Sequence, residues 1–275
     1  MMKIAVVTNE LKDPGFIVTK RIEKYLNEKN VKSHVVKRAG ELTETVDMML
    51  VLGGDGTMLQ AARETAGKNI PMLGINLGTL GYLSEVEIEN IEEAIDKLIE
   101  TEVEKENRMM LCGEISGKNN SRGISPALND ISITRCGPLQ IITLKIFVNG
   151  KFLCTWKADG IIISTPTGST GYSMSAGGPI VEPGARLILI TPICAHTLNA
   201  RSIVLSEDDI IEVEVDKGRG GSSQCVEASS DGSERIPMET GDRIRIYKAK
   251  ETTTILKLSK ACFLELLHKK MGDTK

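Results

Sequence analysis

The first hundred residues alternate between short apolar runs and longer segments whose apolar residues recur at helical spacing. Four apolar runs predict strands, over residues 3–8, 31–36, 46–52 and 70–75. Three periodic segments predict helices, over residues 16–27, 57–66 and 88–101. This alternating order predicts an α/β fold, in which helices cover both faces of a parallel sheet.

The pattern changes after about residue 106, where strand-like pieces follow one another without a helix between them. In the stretch TLKIFVNGKFLCTWK, the side chains alternate on both sides of Asn149-Gly150 as in two β-strands. Asn-Gly is the strongest short signal for a β-hairpin, because both turn positions take positive φ. Helical spacing returns over residues 261–270. We therefore predict an α/β domain of residues 1–106, to which residues 255–275 return, and a β-rich domain of residues 107–254.

Composition and charge exclude several classes of protein. Hydrophobic residues make up 41% of the chain and aromatic residues 3%, which predicts a globular protein with an aliphatic core. The formal net charge of −3 and the absence of a dense Lys/Arg cluster argue against a nucleic-acid-binding protein. No apolar stretch has membrane length, and the N-terminus has the pattern of a strand rather than of a signal peptide. Six cysteines without a C-x-x-C pair predict reduced thiols in a cytoplasmic protein, with neither a zinc site nor a disulfide framework.

The segment GGDGT, residues 53–57, directly follows the third predicted strand. Its glycines let the backbone approach phosphate oxygens without a Cβ clash, and the helix that follows offers unpaired N–H groups to an anion. Asp55 would stand at the carboxyl end of a parallel strand, where open α/β sheets bind ligands. There it could coordinate Mg²⁺ or accept a proton from an attacking hydroxyl. The alternative is an Asp-Gly turn with a helix cap.

Two further segments suggest a binding site for a polar ligand. LNDISI, residues 128–133, places Asn129 and Asp130 before a strand, and residues 158–183 place a loop rich in glycine, serine and threonine after one. Hydroxyls and free N–H groups suit a ligand with many hydroxyl groups, whereas the alternative is a surface loop. The P-loop and the dinucleotide-binding G-x-G-x-x-G are both absent, so phosphate binding would fall to another glycine-rich turn.

Five segments in this order resemble the NAD kinase family: GGDGT, INLGTLGYLSE, LNDISI, DGIIISTPTGSTGYSMSAGGP and PICAHTLNARSIVL. The resemblance covers essentially the whole chain. It implies an α/β domain joined to a β-rich, NAD-binding domain in a homo-oligomer, a dimer or a tetramer. It also implies transfer of the γ-phosphoryl group of ATP, with Mg²⁺ or another divalent cation, to the adenosine 2′-hydroxyl of NAD, which gives NADP.

The resemblance assigns roles to individual residues. Asp55 matches the family's catalytic aspartate and would be the metal ligand, through Mg-ATP. ATP and phosphate binding fall on the two glycine-rich segments, at Gly53, Gly54, Gly56, Thr57, Asn76, Gly78 and Thr79. NAD binding falls on Asp55, Gly56, Asn129, Asp130, Lys157, Asp159, Thr170, Gly171, Tyr172, Ser173, Met174 and Ser175. The chain departs from the family where Asn129-Asp130 replaces the common Asn-Glu, and where Asp231-Gly232-Ser233 replaces a common D-G-Q.

Two other functions fit parts of this pattern. One is a kinase on the same scaffold that acts on a sugar phosphate or a lipid; the other is a protein that binds NAD without catalysis. A lipid kinase should expose an apolar or basic face to the membrane, and the sequence shows none. The presence of Asp55 together with the two predicted ligand-binding segments, residues 128–133 and 158–183, favours an enzyme.

Overall fold

The computed structural model describes residues 2–78, 81–117, 121–137, 141–196, 199–258 and 263–272. The chain divides into two compact units. Unit 1 comprises Met1–Arg108 and Thr252–Lys275, and unit 2 comprises Met109–Glu251.

Unit 1 is built on a parallel sheet. Its elements begin with β1 (Lys3–Val7), α1 (Ile17–Glu28), β2 (Lys32–Val36), β3 (Met48–Leu52), α2 (Asp55–Glu64), β4 (Met72–Asn76), β5 (Val86–Glu87) and α3 (Ile91–Glu100). Strand β1 pairs in parallel with β2 and β3, and β3 pairs in parallel with β4. The parallel sheet predicted for this part of the chain is therefore confirmed.

Helices cover both faces of this sheet. Apolar residues of α1 and α3 share one core cluster with Leu73 and Ile75 of β4. Gly74 lies between those two residues. Because successive Cβ positions in a strand point to opposite faces, a Cβ at Gly74 would point to the other face of the sheet. A methyl group on Gly74 would lie 3.1 Å from the sulfur of Met58, a buried residue of α2. Helix α2 therefore packs on the face opposite to α1 and α3.

Unit 2 is antiparallel. Its strands are β6 (Glu104–Ser116), β7 (Ser121–Ala127), β8 (Asp130–Arg135), β9 (Ile142–Val148), β10 (Lys151–Ala158), β11 (Gly160–Ser164), β12 (Leu187–Ile193), β13 (Ile203–Ser206), β14 (Ile211–Val215), β15 (Cys225–Ser230), β16 (Arg235–Glu239) and β17 (Arg243–Lys257). The first residues of β6 and the last residues of β17 belong to unit 1. In unit 1, Ile255 of β17 pairs in parallel with Met72 of β4.

Two short features of unit 2 concern the sequence predictions. The predicted hairpin joins β9 to β10, with φ of 51° at Asn149 and 75° at Gly150. The loop predicted after β11 contains a short helix, α4 (Tyr172–Ser175). A helix of four residues is too short to produce a periodic apolar pattern, so the sequence did not indicate it. A last helix, α5 (Phe263–Gly272), follows β17 and belongs to unit 1.

The six-stranded sheet of unit 2 runs in the order β13-β12-β11-β8-β15-β16 through the described residues. One face carries isoleucines such as Ile131 and Ile163 and belongs to the main core cluster of the unit. Because strand residues alternate, the opposite face carries Asp130, Ser132 and Ser164, all of which are buried. Ile162 and Leu189 share this side, which is called the polar face below because its buried carboxyl and hydroxyl groups require polar partners. Among the helices that the structure describes, none has the length and apolar character needed to cross a membrane.

Candidate active site

Asp55 is the first residue of α2, which begins two residues earlier than the sequence predicted. Gly54 is the N-cap residue of α2. Its backbone is extended, and the helix has no side-chain cap at this end. Gly53 has φ of 151°, and a methyl group there would lie 2.3 Å from Oγ1 of Thr57. The strand β3 therefore turns into α2 within two residues, and only glycine at 53 fits that turn.

The Asp55 carboxylate is held by a second segment of unit 1. Its Oδ2 accepts a hydrogen bond from the backbone N–H of Tyr82 (2.8 Å), and its Oδ1 accepts one from Leu83 (2.9 Å). A methyl group on Gly81 would lie 1.9 Å from Oδ1, so the carboxylate occupies the space that a side chain at 81 would need. The carboxylate does not cap α2, which the alternative interpretation of GGDGT required. Each of its oxygens keeps a second lone pair for a ligand.

The glycine-rich segments meet at the carboxyl edge of the sheet. Strands β3 and β4 are parallel neighbours, and the N–H of Gly53 donates to the carbonyl of Ile75 (2.9 Å). Asn76 ends β4 and closes its own turn, since its Nδ2 donates to the carbonyl of Gly78 and its Oδ1 accepts from the N–H of Gly78. Methyl groups built at Gly54, Gly56 and Gly78 would meet no heavy atom within 4 Å. Open space beside these backbones is what a phosphate group requires. The remaining residue of this predicted set, Thr79, lies outside the described residues.

Asn129 lies in unit 2 with its backbone fixed by the segment after β11. Its carbonyl accepts the N–H of Thr165 (2.9 Å), and the Thr165 hydroxyl donates to the carbonyl of Leu128 (2.6 Å). A methyl group on Gly168 would lie 2.1 Å from the Asn129 carbonyl oxygen, so the two segments are in direct contact. The side-chain Oδ1 of Asn129 is buried and has no hydrogen-bond partner among the described residues. An acceptor in that state is available to a ligand that brings a donor.

Asp130 begins β8 and is 5% exposed. Burial raises the pKa of Asp130 to about 7, and the nearby negative charge of Asp231 adds to the rise. The carboxyl group is therefore a mixture of its acid and its carboxylate near neutral pH. Near neutral pH, Asp130 can therefore either donate a hydrogen bond to a hydroxyl group of a ligand or accept one from it.

Replacing Asp130 with asparagine is expected to stabilise the nucleotide-free protein at high pH. A pKa raised from 3.8 to about 7 in the folded state means that ionisation of Asp130 destabilises the fold, by about 4 kcal/mol at most. The folded state keeps its proton between these two values, so the wild-type protein loses stability relative to the variant as the pH rises from about 4 to 7. Urea unfolding of both proteins at pH 4, 6 and 8 measures this. A difference that is the same at all three pH values would contradict it.

Asp159 is the second candidate carboxylate of unit 2. Its Oδ1 accepts a hydrogen bond from Nε of Arg135 (3.1 Å), within a partly exposed ion pair. Its backbone is tied to the sheet, because its N–H donates to the carbonyl of Ile193 (2.9 Å). Lys157, two residues earlier on β10, has an exposed side chain.

Residues 170–175 lie against the polar face of the sheet. A methyl group on Gly171 would lie 3.1 Å from Nδ2 of Asn129, which brings this segment next to Leu128–Asp130, here called the LND turn. The hydroxyls of Thr170 and Ser173 are engaged within the unit, the first with the carbonyl of Thr167 and the second with Thr191. The side chains of Tyr172, Met174 and Ser175 are exposed. Burial raises the pKa of Tyr172, and the charge of Asp130 contributes to that rise.

Sequence reasoning missed several residues that shape these sites. Gly81, Gly168, Arg135 and Asp231 each contact a candidate residue from a distant part of the chain. Gly81 lies within INLGTLGYLSE, and Asp231 lies within the Asp-Gly-Ser segment that departs from the family's D-G-Q, so their segments were visible in the sequence although their contacts were not. Arg135 had no signal of its own.

Two family models match this chain. Residues 5–103 match the ATP-NAD kinase N-terminal domain, and residues 128–258 match the ATP-NAD kinase C-terminal domain. The chain is 45% identical to the NAD kinase of Agathobacter rectalis over 284 residues, which cover 99% of either chain. It is 39% identical to the NAD kinase of Caldanaerobacter subterraneus subsp. tengcongensis, with 99% of this chain and 100% of that one covered.

Solved structures agree with these relatives. An NAD kinase from Archaeoglobus fulgidus in complex with ATP superposes with a TM-score of 0.79 at 30% identity, covering 94% of this chain and 95% of that one. Yeast NADH kinase complexed with NADH superposes with a TM-score of 0.87, covering 100% of this chain and 89% of that one. The yeast enzyme is 24% identical, and its likeness bears on the fold.

Proposed function

The chain belongs to the NAD kinase family and is an ATP-dependent kinase of NAD, and we propose that Asp55 is the residue on which its phosphoryl transfer depends. The γ-phosphoryl group of ATP passes to the adenosine 2′-hydroxyl of NAD, which gives NADP. Family membership decides against a kinase of lipids or sugar phosphates and against a binding protein without activity. The observation that carries the role of Asp55 is a carboxylate at the end of β3, held by two backbone N–H groups beside glycines with open space around them.

The chemistry asks for alignment, charge stabilisation and removal of one proton. The 2′-oxygen forms a bond to the γ-phosphorus while the bond between that phosphorus and the bridging oxygen of ADP breaks. The hydroxyl proton goes to the Asp55 carboxylate, which keeps free lone pairs on both oxygens. Its hydrogen bonds to Tyr82 and Leu83 hold the carboxylate in one orientation. The open backbone at Gly54 and Gly56 admits phosphate oxygens.

NAD binding falls to unit 2 under this proposal. Asn129 offers a buried acceptor that has no partner within the described part of the chain, and Asp130 and Asp159 offer carboxyl groups. The exposed ring of Tyr172 provides an apolar surface for a base or for nicotinamide. These groups match a ligand that carries two riboses, each with hydroxyls that donate and accept.

The residues present fit a divalent cation such as Mg²⁺ only if the phosphates of ATP supply most of its ligands. Within the described ranges, no cluster of three or more His, Cys, Asp or Glu residues that could hold a metal is found. Mg²⁺ at nucleotide sites is held by one or two carboxylates together with phosphate oxygens, and Asp55 supplies one such carboxylate. When bound, the cation would neutralise charge on the phosphates.

Assembly and location are further parts of the proposal. A homo-oligomer, a dimer or a tetramer, is supported by Phe152 and Leu153, which are exposed on β10 at an edge of the β-structure. A cytoplasmic location is supported by the free thiols at the five described cysteines, since secreted proteins tend to use cysteines in disulfides. Light scattering at micromolar concentration tests the first, and a monomer would contradict it.

The activity itself is tested by incubating the purified protein with ATP, MgCl₂ and NAD and measuring NADP with a dehydrogenase specific for NADP. Samples without ATP or without NAD are the controls. NADP that forms only in the complete mixture supports the proposal. A complete mixture that forms ADP and inorganic phosphate but no NADP would show hydrolysis of ATP by water and would contradict transfer to NAD.

Replacing Asp159 with alanine is expected to raise the KM for NAD by about tenfold to a hundredfold, because a hydrogen bond to a charged group typically contributes 1.5–3 kcal/mol. Asp216→Ala is the matched control, since Asp216 of the same unit forms an ion pair with Lys145 (3.0 Å) at a similar exposure. Steady-state kinetics with NAD varied at saturating ATP make the comparison. Equal KM values for the two variants would remove Asp159 from the NAD site.

A further inference from the structure

The turn between β15 and β16 carries an aspartate whose side chain points away from its own hairpin. Asp231 and Gly232 have φ of 47° and 64°, and the N–H of Ser233 donates to the carbonyl of Ser230 (2.9 Å). These are the features of a β-turn over Ser230–Ser233 with both central residues in the left-handed region. Asparagine or glycine would make this turn as well, so the turn alone does not explain a carboxylate at 231.

The carboxylate of Asp231 accepts three consecutive backbone N–H groups of the LND turn. Its Oδ2 accepts from Leu128 (2.8 Å), and its Oδ1 accepts from Asn129 (2.8 Å) and Asp130 (3.0 Å). The N–H of Asp231 donates in return to the carbonyl of Asp130 (2.9 Å). Three N–H groups that converge on one point form an anion-binding concavity. An asparagine would turn an NH₂ group toward one of these donors, so only a carboxylate satisfies them all.

This contact holds the backbone of Asn129 and Asp130, the two residues of this turn that are candidate contacts to NAD. On its other side the LND turn is bonded to Thr165 and touches Gly168, so Asp231 completes the support of the turn. Asn129, whose Oδ1 is buried without a partner among the described residues, takes its direction from this backbone. We propose that Asp231 is a positioning residue of the NAD site, which holds the backbone of Leu128–Asp130 so that Asn129 and Asp130 are directed at NAD. The inference rests on the proposed function, because it takes these two residues to bind NAD.

The charge of Asp231 adds a second effect that a purely mechanical support would lack. Asp231 faces Asp130 from the β15–β16 turn, and Tyr172 faces it from α4. After burial, the negative charge of Asp231 is the further cause that raises the pKa of Asp130. Removing that charge lowers the pKa of Asp130 and so moves the pH at which NAD binding changes.

The test compares Asp231→Asn and Asp231→Glu with Asp242→Asn. Asp242 is a matched control, because it lies at the next turn of unit 2 and its carboxylate accepts the N–H of Glu239 (2.9 Å). We expect Asp231→Asn to raise the KM for NAD by about tenfold, with the KM for ATP unchanged. The pH dependence of that KM should shift to lower pH in Asp231→Asn and stay near its wild-type position in Asp231→Glu, which keeps the charge.

Hydrogen exchange supplies a readout that needs no turnover. The amides of Leu128, Asn129 and Asp130 should lose protection in Asp231→Asn and keep it in Asp242→Asn. Lost protection with a KM for NAD within twofold of the control would reduce Asp231 to a structural role and overturn the proposal, as would failure of both Asp231 variants to fold. If the wild-type protein forms no NADP, the proposed function itself fails; if it does and the Asp231 variants match the control, only this inference fails.

Discussion

Replacing Asp55 with asparagine is expected to lower the turnover number for NADP formation by about 10²–10⁴-fold, the usual contribution of a positioned general base. An amide cannot take the proton of the 2′-hydroxyl. The KM for NAD should change far less, since all the other candidate contacts to NAD except Gly56 lie in unit 2. The variant also turns an NH₂ group toward the N–H of Tyr82 or Leu83, which costs about 1–2 kcal/mol of folding free energy.

Two comparisons separate the chemical effect from that loss of stability. Asp47→Asn also removes a carboxylate that accepts a backbone N–H, that of Lys3 (2.8 Å), at a site away from GGDGT. Thermal unfolding and single-turnover rates of both variants should be measured below the lower of their melting temperatures. If Asp55→Asn turns over NAD within a few-fold of Asp47→Asn, then Asp55 only ties α2 to residues 82–83.

Replacing Gly168 with alanine is expected to disrupt the NAD site through backbone displacement. The new methyl group would lie 2.1 Å from the carbonyl oxygen and 2.7 Å from the Cα of Asn129, and backbone atoms cannot rotate away as a side chain can. Overpacking of this kind costs typically 1–3 kcal/mol. Displacement of Asn129 should also raise the KM for NAD, by about tenfold for each 1.4 kcal/mol of binding that is lost.

Gly184→Ala is the control for the added methyl group. Gly184 follows the same hydroxyl-rich segment, and a methyl group there meets no heavy atom within 4 Å. Urea unfolding and calorimetric titration with NAD should show both effects in Gly168→Ala and neither in Gly184→Ala. Unchanged NAD affinity in a destabilised Gly168→Ala would separate the packing of this segment from ligand binding.

The sequence predicted those parts of the molecule that depend on neighbours along the chain. Strand β3, the glycine turn and helix α2 follow one another within residues 48–64, so apolar runs and glycines were enough to indicate them. Helix α2 nevertheless begins at Asp55 rather than at 57. Gly54 provides the extended residue before the helix, and an acidic residue in the first turn is favoured by the helix dipole.

Contacts between distant segments were beyond the reach of such reasoning. The bonds from residues 82–83 to Asp55, and those from Leu128–Asp130 to Asp231, depend on where the folded chain returns. Their residues could be identified as turn residues, but no local pattern states which backbone a carboxylate will meet. The raised pKa of Asp130 belongs to the same class, because its burial and its charged neighbour exist only in the folded unit.

Unit 1 has a further property that follows from its two separate stretches of chain. Ile255 pairs with β4 and Leu256 is buried in the same core as Leu73, yet all of unit 2 is synthesised between them. On the ribosome, unit 2 is continuous and can close as soon as it emerges, whereas Met72 of β4 meets its β17 partner only after residues 252–257 have followed. A chain that ends before residue 252 therefore leaves Met72 of β4 without its β17 partner, although β5 still pairs with Ile75 and Asn76. The open part of that strand edge is available to other chains and favours aggregation. We expect emergence of residues 252–257, rather than of residues 1–108, to set the moment at which unit 1 reaches its native stability.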